Sequence, residues 1–281
     1  IQQLKTNAAK DIKKLYDRNI IPGLAAILVG NNSASKIYVK NKQKFFLDNK
    51  CFSQTFSFDQ NITQNELIEF IENLNSNDKF HGILIQLPLP NHIDSQLILS
   101  SVSPKKDVDG FHPENLGKLF SGYPKFIPCT PYGVIKLLEY YNIKTTGKHA
   151  VIVGRSNIVG KPMASLLSQS FNKGNATVTV CHSKTDSLRK YTLKADILIS
   201  ATGIANLITS DMVNEHVDII DIGINRVEDD SERGYHISGD VDFKGCIEKV
   251  NSITPVPGGV GPMTIMMLLI NTIKSAENVT D

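Results

Sequence analysis

A lysine, a glutamine and two carboxylates are the side chains whose setting in this sequence suits chemistry. Lys42 lies in Ser35-Lys-Ile-Tyr-Val-Lys-Asn-Lys-Gln-Lys-Phe-Phe46. Wound as a helix, this run puts Lys36, Lys40 and Lys44 on one stripe and turns Lys42 toward Tyr38, Val39, Phe45 and Phe46, with Tyr38 one turn earlier. Ile37 and Leu47 fall on the stripe's side and weaken the pattern. Two readings stand: a lysine snorkelling out from under aromatic rings, and a partly desolvated ammonium whose lowered pKa suits acid–base work. Gln86 ends the apolar run Gly82-Ile-Leu-Ile-Gln86 just ahead of Pro88 and Pro90. A buried amide must be paired, and Lys42 could be its partner. Asp107 and Asp109 precede Gly110 in Lys106-Asp-Val-Asp-Gly110. Turn chemistry explains either Asp alone, whereas a carboxylate held in a cleft can accept two hydrogen bonds from the edge of an aminopyrimidinone ring.

Two glycine-bearing stretches add binding chemistry. Ala150-Val-Ile-Val-Gly-Arg-Ser-Asn-Ile-Val-Gly-Lys-Pro-Met163 reads as a buried strand, a tight turn from Gly154 to Gly160, and a helix start with Pro162 just inside it. Amides at such a helix N-terminus face an anion, so this is the layout of a phosphate cradle. The dinucleotide fingerprint G-x-G-x-x-G is broken by Ser156 and Val159, which leaves an ordinary strand-to-helix turn as the competing reading. The following strand, Thr177-Val-Thr-Val-Cys181, ends in His182-Ser-Lys-Thr185, with no carboxylate before Asp186. An NAD site would place an acid there for the ribose hydroxyls, so NADP is expected, with Arg155, Ser156 and Ser183 at its 2′-phosphate. Thr202, Gly203 and the stretch Asp221-Ile-Gly-Ile-Asn225 should line the nicotinamide side. Pro255-Val-Pro-Gly-Gly-Val-Gly-Pro262 holds three prolines and three glycines in eight residues, which suits a rigid wall with close backbone approach rather than a floppy linker.

The elements that must position these residues alternate between strand and helix. Residues 24–29 and 82–87 read as buried parallel strands and 52–58 as an alternating one, with helices over 33–49 and from a Thr63/Glu66 capping box to about Leu74. A helix covers 132–141, and a second alternation follows: strand 150–153, helix from 160, strand 176–181, a short helix, and strands 196–200 and 217–221, before a closing helix over 262–276. The fold class is therefore α/β in two domains, a doubly wound substrate domain and a Rossmann-like NADP-binding domain flanking a cleft. The expected division is 1–139 plus 262–281 for the first and 140–261 for the second.

At 281 residues, with 41% hydrophobic and 21% charged residues, the chain has material for two cores. A net charge of +2 argues against a nucleic-acid partner. Cys51, Cys129, Cys181 and Cys246 include no C-x-x-C pair, so no metal site is expected, and reduced thiols suit a cytoplasmic location. The absence of a long apolar run argues against a membrane. The first residues lack an initiator Met, and the natural chain is expected to begin slightly earlier.

Six stretches together, Tyr38-x-x-x-Lys42, Gly82 to Pro90, Lys106 to Gly110, Pro128-Cys-Thr-Pro131, Val153 to Gly160 and Thr254 to Pro262, resemble the bifunctional methylenetetrahydrofolate dehydrogenase/methenyltetrahydrofolate cyclohydrolase family, the FolD type. The resemblance runs nearly end to end. It implies hydride transfer from 5,10-methylenetetrahydrofolate to NADP and hydrolysis of the resulting methenyl cation to 10-formyltetrahydrofolate. By similarity Lys42 is catalytic, Tyr38 and Gln86 orient it and the folate, and Asp109 anchors the pterin edge. Leu87, Pro257, Gly258 and Gly259 join the substrate side. Gly154, Ile158 and Ile224 join the cofactor side. A homodimer is implied by the family alone, and Pro128 to Pro131 is taken as structural. A shikimate-type NADP dehydrogenase and a non-catalytic nucleotide sensor are the rival functions.

Overall fold

A computed structural model describes residues 1–171, 173–232 and 234–278. Contacts divide the chain into two compact units, residues 1–129 with 265–281, and residues 130–264.

The first unit runs α1 (Gln2–Asp17), β1 (Gly23–Val29), α2 (Ser33–Asp48), β2 (Phe52–Phe58), α3 (Gln64–Asn75), β3 (Gly82–Ile85), α4 (Ser95–Ser101) and α5 (Pro113–Phe120). Its sheet is parallel in the order β2-β1-β3, with Ile27 level with Phe56 on one side and Ile85 on the other. Every residue of β1 is buried, as a central parallel strand covered on both faces requires. Thr63 and Glu66 form the expected capping box: Thr63 Oγ1 accepts from Glu66 N, and Glu66 Oε2 accepts from Thr63 N at 2.9 Å. Leu67, Ile71 and Leu74 then seal α3 onto Ile27, Ile83 and Ile85.

The second unit holds α6 (Cys129–Tyr140), β4 (His149–Val153), α7 (Gly160–Ser168), β5 (Thr177–Cys181), α8 (Leu188–Thr192), β6 (Ile197–Ser200), β7 (Asp218–Asp221), β8 (Asn225–Glu228), β9 (Tyr235–Ser238), α9 (Phe243–Cys246), β10 (Ser252–Ile253) and the start of α10 (Val260–Glu277). Its five parallel strands are ordered β10-β7-β6-β4-β5, so the chain reverses direction across the sheet between β4 and β6. Ligands of open α/β sheets bind at the carboxyl ends beside such a reversal. The unit's core gathers Val151, Val153, Leu198, Ile208 and Ile219.

Helix α6, expected with the first domain, falls almost wholly within the second unit. There Thr130 Oγ1 lies 3.1 Å from Thr264 Oγ1, and a Cβ on Gly133 would come within 3.0 Å of Met263 Cβ, so the two helices approach across a glycine. Helices α4 and α5, the antiparallel pair β8–β9 and the short α9 and β10 were not expected from the sequence pattern. All four cysteines are free and buried. No helix among the described residues is long and apolar enough to cross a membrane.

Candidate active site

Helix α2 presents its lysines as helical geometry requires. Lys36, Lys40 and Lys44 are exposed, Val39 and Phe46 are buried, and Lys42 is half-buried between the two sets. Lys42 Nζ donates to Gln86 Oε1 at 3.1 Å, and Gln86 Nε2 donates to Leu87 O at 2.8 Å. The amide is thereby fixed with its oxygen toward the ammonium, at the exit of β3 where the Leu87–Pro88 peptide is cis. Tyr38, one turn before Lys42 on α2, keeps a partly exposed ring, and burial of its hydroxyl raises its pKa.

The two carboxylates of residues 106–110 separate into different roles. Asp107 is buried and accepts from Phe111 N (3.0 Å), His112 N (2.8 Å) and Asn115 Nδ2 (2.8 Å), so it closes the turn. Burial pushes its carboxyl up to about 6 against those hydrogen bonds. Asp109 is the half-buried one that faces Lys42. Burial raises its pKa, while the Lys42 ammonium and a hydrogen bond from the Cys129 thiol pull it back. Lys106 caps the end of α3, donating to Leu74 O (3.1 Å) and Asn77 O (2.8 Å). Gly110 adopts φ +76°, and a Cβ there would come within 2.8 Å of Pro128 N, so only glycine allows this turn to lie on the following segment.

Residues 127–129 pack against the Asp109 turn. The buried Cys129 thiol lies between Val108 O (3.3 Å) and the Asp109 carboxylate, and burial with the neighbouring Asp109 charge lifts its pKa well above the usual thiol range. Asn271, buried on α10, donates to Val108 O (2.8 Å) and Ile127 O (3.0 Å). Neither Asn271 nor the thiol's link to Asp109 has a signal in local sequence, because the partners are far apart in the chain.

In the second unit the turn after β4 is a close-approach structure. A Cβ on Gly154 would lie 2.4 Å from Ala201 O, and one on Gly160 would lie 2.2 Å from Gly154 O. Ser156 Oγ accepts from Val159 N (3.1 Å) and Gly160 N (3.4 Å), so this serine, which stands where the dinucleotide fingerprint has glycine, closes the turn leading into α7. Arg155 and Ser156 are exposed and Ile158 is half-buried. Ser183 is exposed after β5, on a turn closed by His182 N donating to Thr185 Oγ1 at 2.8 Å. Gly154, Thr202 and Gly203 lie at the carboxyl ends of β4 and β6, the place of reversal, and Ile224 is 46% exposed just past β7. The tight cradle and the exposed Arg155 fit a phosphate-bearing dinucleotide. In the Pro/Gly stretch Gly258 has φ +108°, Gly259 N donates to Pro255 O at 2.9 Å, and Pro257 and Gly258 are exposed.

The chain is similar to known proteins. A model of the tetrahydrofolate dehydrogenase/cyclohydrolase catalytic domain matches residues 1–109, and one of the NAD(P)-binding domain of the same family matches residues 128–280. A "Bifunctional protein FolD" of Chloroherpeton thalassium is 49% identical, covering 99% of this chain and 96% of its own length. The crystal structure of the bifunctional methylenetetrahydrofolate dehydrogenase/cyclohydrolase from Campylobacter jejuni is 52% identical with a TM-score of 0.92, covering 99% of this chain and 95% of that one. The Trypanosoma brucei enzyme, solved with NADP and an inhibitor, is 34% identical with a TM-score of 0.93 over 99% and 95% of the two chains. A shikimate dehydrogenase from Aquifex aeolicus, at 11% identity and a TM-score of 0.52 over 91% and 96%, shares the fold alone.

Proposed function

The chain belongs to the tetrahydrofolate dehydrogenase/cyclohydrolase family, and from that premise we propose that it oxidises 5,10-methylenetetrahydrofolate with NADP and then hydrolyses the 5,10-methenyl product to 10-formyltetrahydrofolate. The observation that carries the reading is the Lys42–Gln86 pair with Asp109 in electrostatic reach of Lys42. A nucleotide sensor has no use for that arrangement, and the shikimate-type alternative rests on fold alone.

The substrate's methylene bridge lies between two nitrogens whose lone pairs stabilise the cation left behind, so the first step needs orientation more than acid–base help. Bound NADP supplies the hydride acceptor. Gly154, Arg155, Ser156, Ile158 and Ser183 hold its adenosine phosphate end, and Thr202, Gly203 and Ile224 its nicotinamide end. The exposed guanidinium of Arg155, with no acid at the end of β5, favours the 2′-phosphate of NADP. Asp109 accepts from the N–H groups of the pterin edge. Tyr38, Leu87 and the turn of Pro257, Gly258 and Gly259 orient the ring system. In the second step water adds to the methenyl carbon and gives a proton to the neutral amine of Lys42, which Gln86 Oε1 orients. The carbon–N5 bond then breaks as the remaining hydroxyl proton passes to N5, leaving the formyl group on N10, and Lys42 releases its proton to solvent. Family resemblance extends the reading to a homodimer working in the cytoplasm.

Lys42→Met tests the assignment. The variant folds, because a half-buried lysine stem is replaced by a chain of similar length, and its cyclohydrolase rate falls by about 100-fold or more. Full cyclohydrolase activity in the variant removes Lys42 from the mechanism.

A further inference from the structure

Two buried carboxylates knot together the loops at the carboxyl ends of β6 and β7. Asp240 is 0% exposed, and its Oδ2 accepts from Thr202 N (2.5 Å), Ser200 Oγ (3.2 Å) and Gly203 N (3.3 Å). Its Oδ1 accepts from Asn225 Nδ2 at 3.0 Å. Asp221, 2% exposed at the end of β7, accepts from Gly223 N (3.0 Å), Asp240 N (3.0 Å) and Val241 N (2.9 Å). Its own N–H donates to Thr254 Oγ1 at 2.9 Å, at the head of the Pro/Gly turn. Glycines make the approach feasible: a Cβ on Gly223 would lie 2.1 Å from Asp240 Oδ1, and one on Gly239 would lie 1.9 Å from Asp221 Oδ2.

All four donors to Asp240 are neutral, so the carboxylate is stabilised by converging hydrogen bonds rather than by a cation. Neutral donors of this kind hold an anion only if their backbone stays in one arrangement. The same arrangement fixes Thr202 and Gly203 on one side and, through Asn225 and Gly223, the exposed Ile224 on the other. We propose that Asp240 is a positioning residue for the dehydrogenase step: it sets both loops that receive the nicotinamide, and has no part in the hydrolytic step centred on Lys42. This rests on the reading of Thr202, Gly203 and Ile224 as the nicotinamide end of the cofactor site.

The bifunctional reaction supplies its own internal control. Full-length Asp240→Ala and Asp240→Asn are assayed for NADP-dependent oxidation of methylenetetrahydrofolate and, separately, for hydrolysis of methenyltetrahydrofolate without nucleotide. In Asp240→Ala the oxidation kcat falls by about tenfold to a hundredfold, as expected when reacting groups are misplaced, while hydrolysis stays within about twofold. Asp240→Asn keeps an oxygen for the Thr202 and Gly203 amides and recovers part of the oxidation rate. Equal loss of both activities in soluble Asp240→Ala, or no loss of either, overturns the proposal. Where Asp240→Ala does not fold, Asp240→Asn decides: a ratio of oxidation to hydrolysis lowered about threefold or more supports it, and an unchanged ratio overturns it. A parent protein without oxidation activity overturns the functional reading itself, and this proposal with it.

Discussion

Replacing Asn271 by alanine removes a side chain of α10 that bonds both Val108 and Ile127, on either side of Asp109. Its amide donates to Val108 O at 2.8 Å and Ile127 O at 3.0 Å from a position 2% exposed. A buried carbonyl left without its donor costs roughly 1–3 kcal/mol. Val108 O keeps the Cys129 thiol at 3.3 Å and falls at the low end of that range. Ile127 O loses its donor at this site and falls in the middle, and the deleted amide leaves a small void. The sum is about 3–4 kcal/mol, a large part of the ~5–15 kcal/mol that stabilises an ordinary domain. Urea unfolding measures it, with Asn278→Ala as control, since Asn278 is exposed and its amide donates to Lys274 O at the end of α10. The control should shift stability by less than about 0.5 kcal/mol. A second readout is substrate binding: with the Asp109 turn loosened, KM for the folate rises while KM for NADP holds. An Asn271→Ala midpoint no further from the parent than that of Asn278→Ala refutes the claim that this amide holds the Asp109 turn.

Three further outcomes follow from the geometry. Gly160→Ala drives a Cβ to 2.2 Å from Gly154 O, a backbone atom that cannot rotate away, so the variant loses NADP affinity while still hydrolysing methenyltetrahydrofolate; titration with NADP checks this, and unchanged affinity contradicts a rigid turn. Asp107, buried and raised from 3.8 to about 6, holds its proton in the folded state between those values, so its contribution to stability is complete below about pH 4 and lost as pH rises through 6. Relative to Asp107→Asn, the parent should lose on the order of 3 kcal/mol across that window, seen as a falling difference in Tm, and a rising difference contradicts the assignment. Arg155→Ala should lower the preference for NADP over NAD by about tenfold through loss of a charge-assisted contact, read from kcat/KM with each nucleotide; an unaltered preference places the 2′-phosphate elsewhere.

Much of the architecture is legible because parallel strands buried on both faces must be apolar, as β1 and β3 are throughout and β4 is from Ala150 to Val153. The turn of Lys42 toward Phe46 follows from helical spacing alone. What local pattern could not give was the sorting of neighbours that look alike. Asp107 and Asp109 are two residues apart on one turn, and only the fold shows that one faces three N–H donors and the other faces Lys42. Cys129 reads as a small apolar residue until Val108, Asp109 and Asn271 converge on it. Asp240 sits among ordinary polar residues and matters only because Ser200 and Thr202, at and beyond the end of β6, and Asn225 on β8 meet it. The helices α4 and α5, seven and eight residues long in a segment dense in proline, glycine and aspartate, are too short for hydrophobic periodicity to reveal. The pair β8–β9 mixes half-buried and exposed residues and fully buries none, so its strands lack the apolar signal that marked the others.

The most direct test of the central claim mixes the purified protein with 5,10-methylenetetrahydrofolate and NADP and follows the methenyl absorbance over time. The account predicts that the absorbance appears only with nucleotide and then decays faster than in protein-free buffer, as one chain carries out both steps. No appearance with NADP, or an enzyme-independent decay once it has formed, contradicts it.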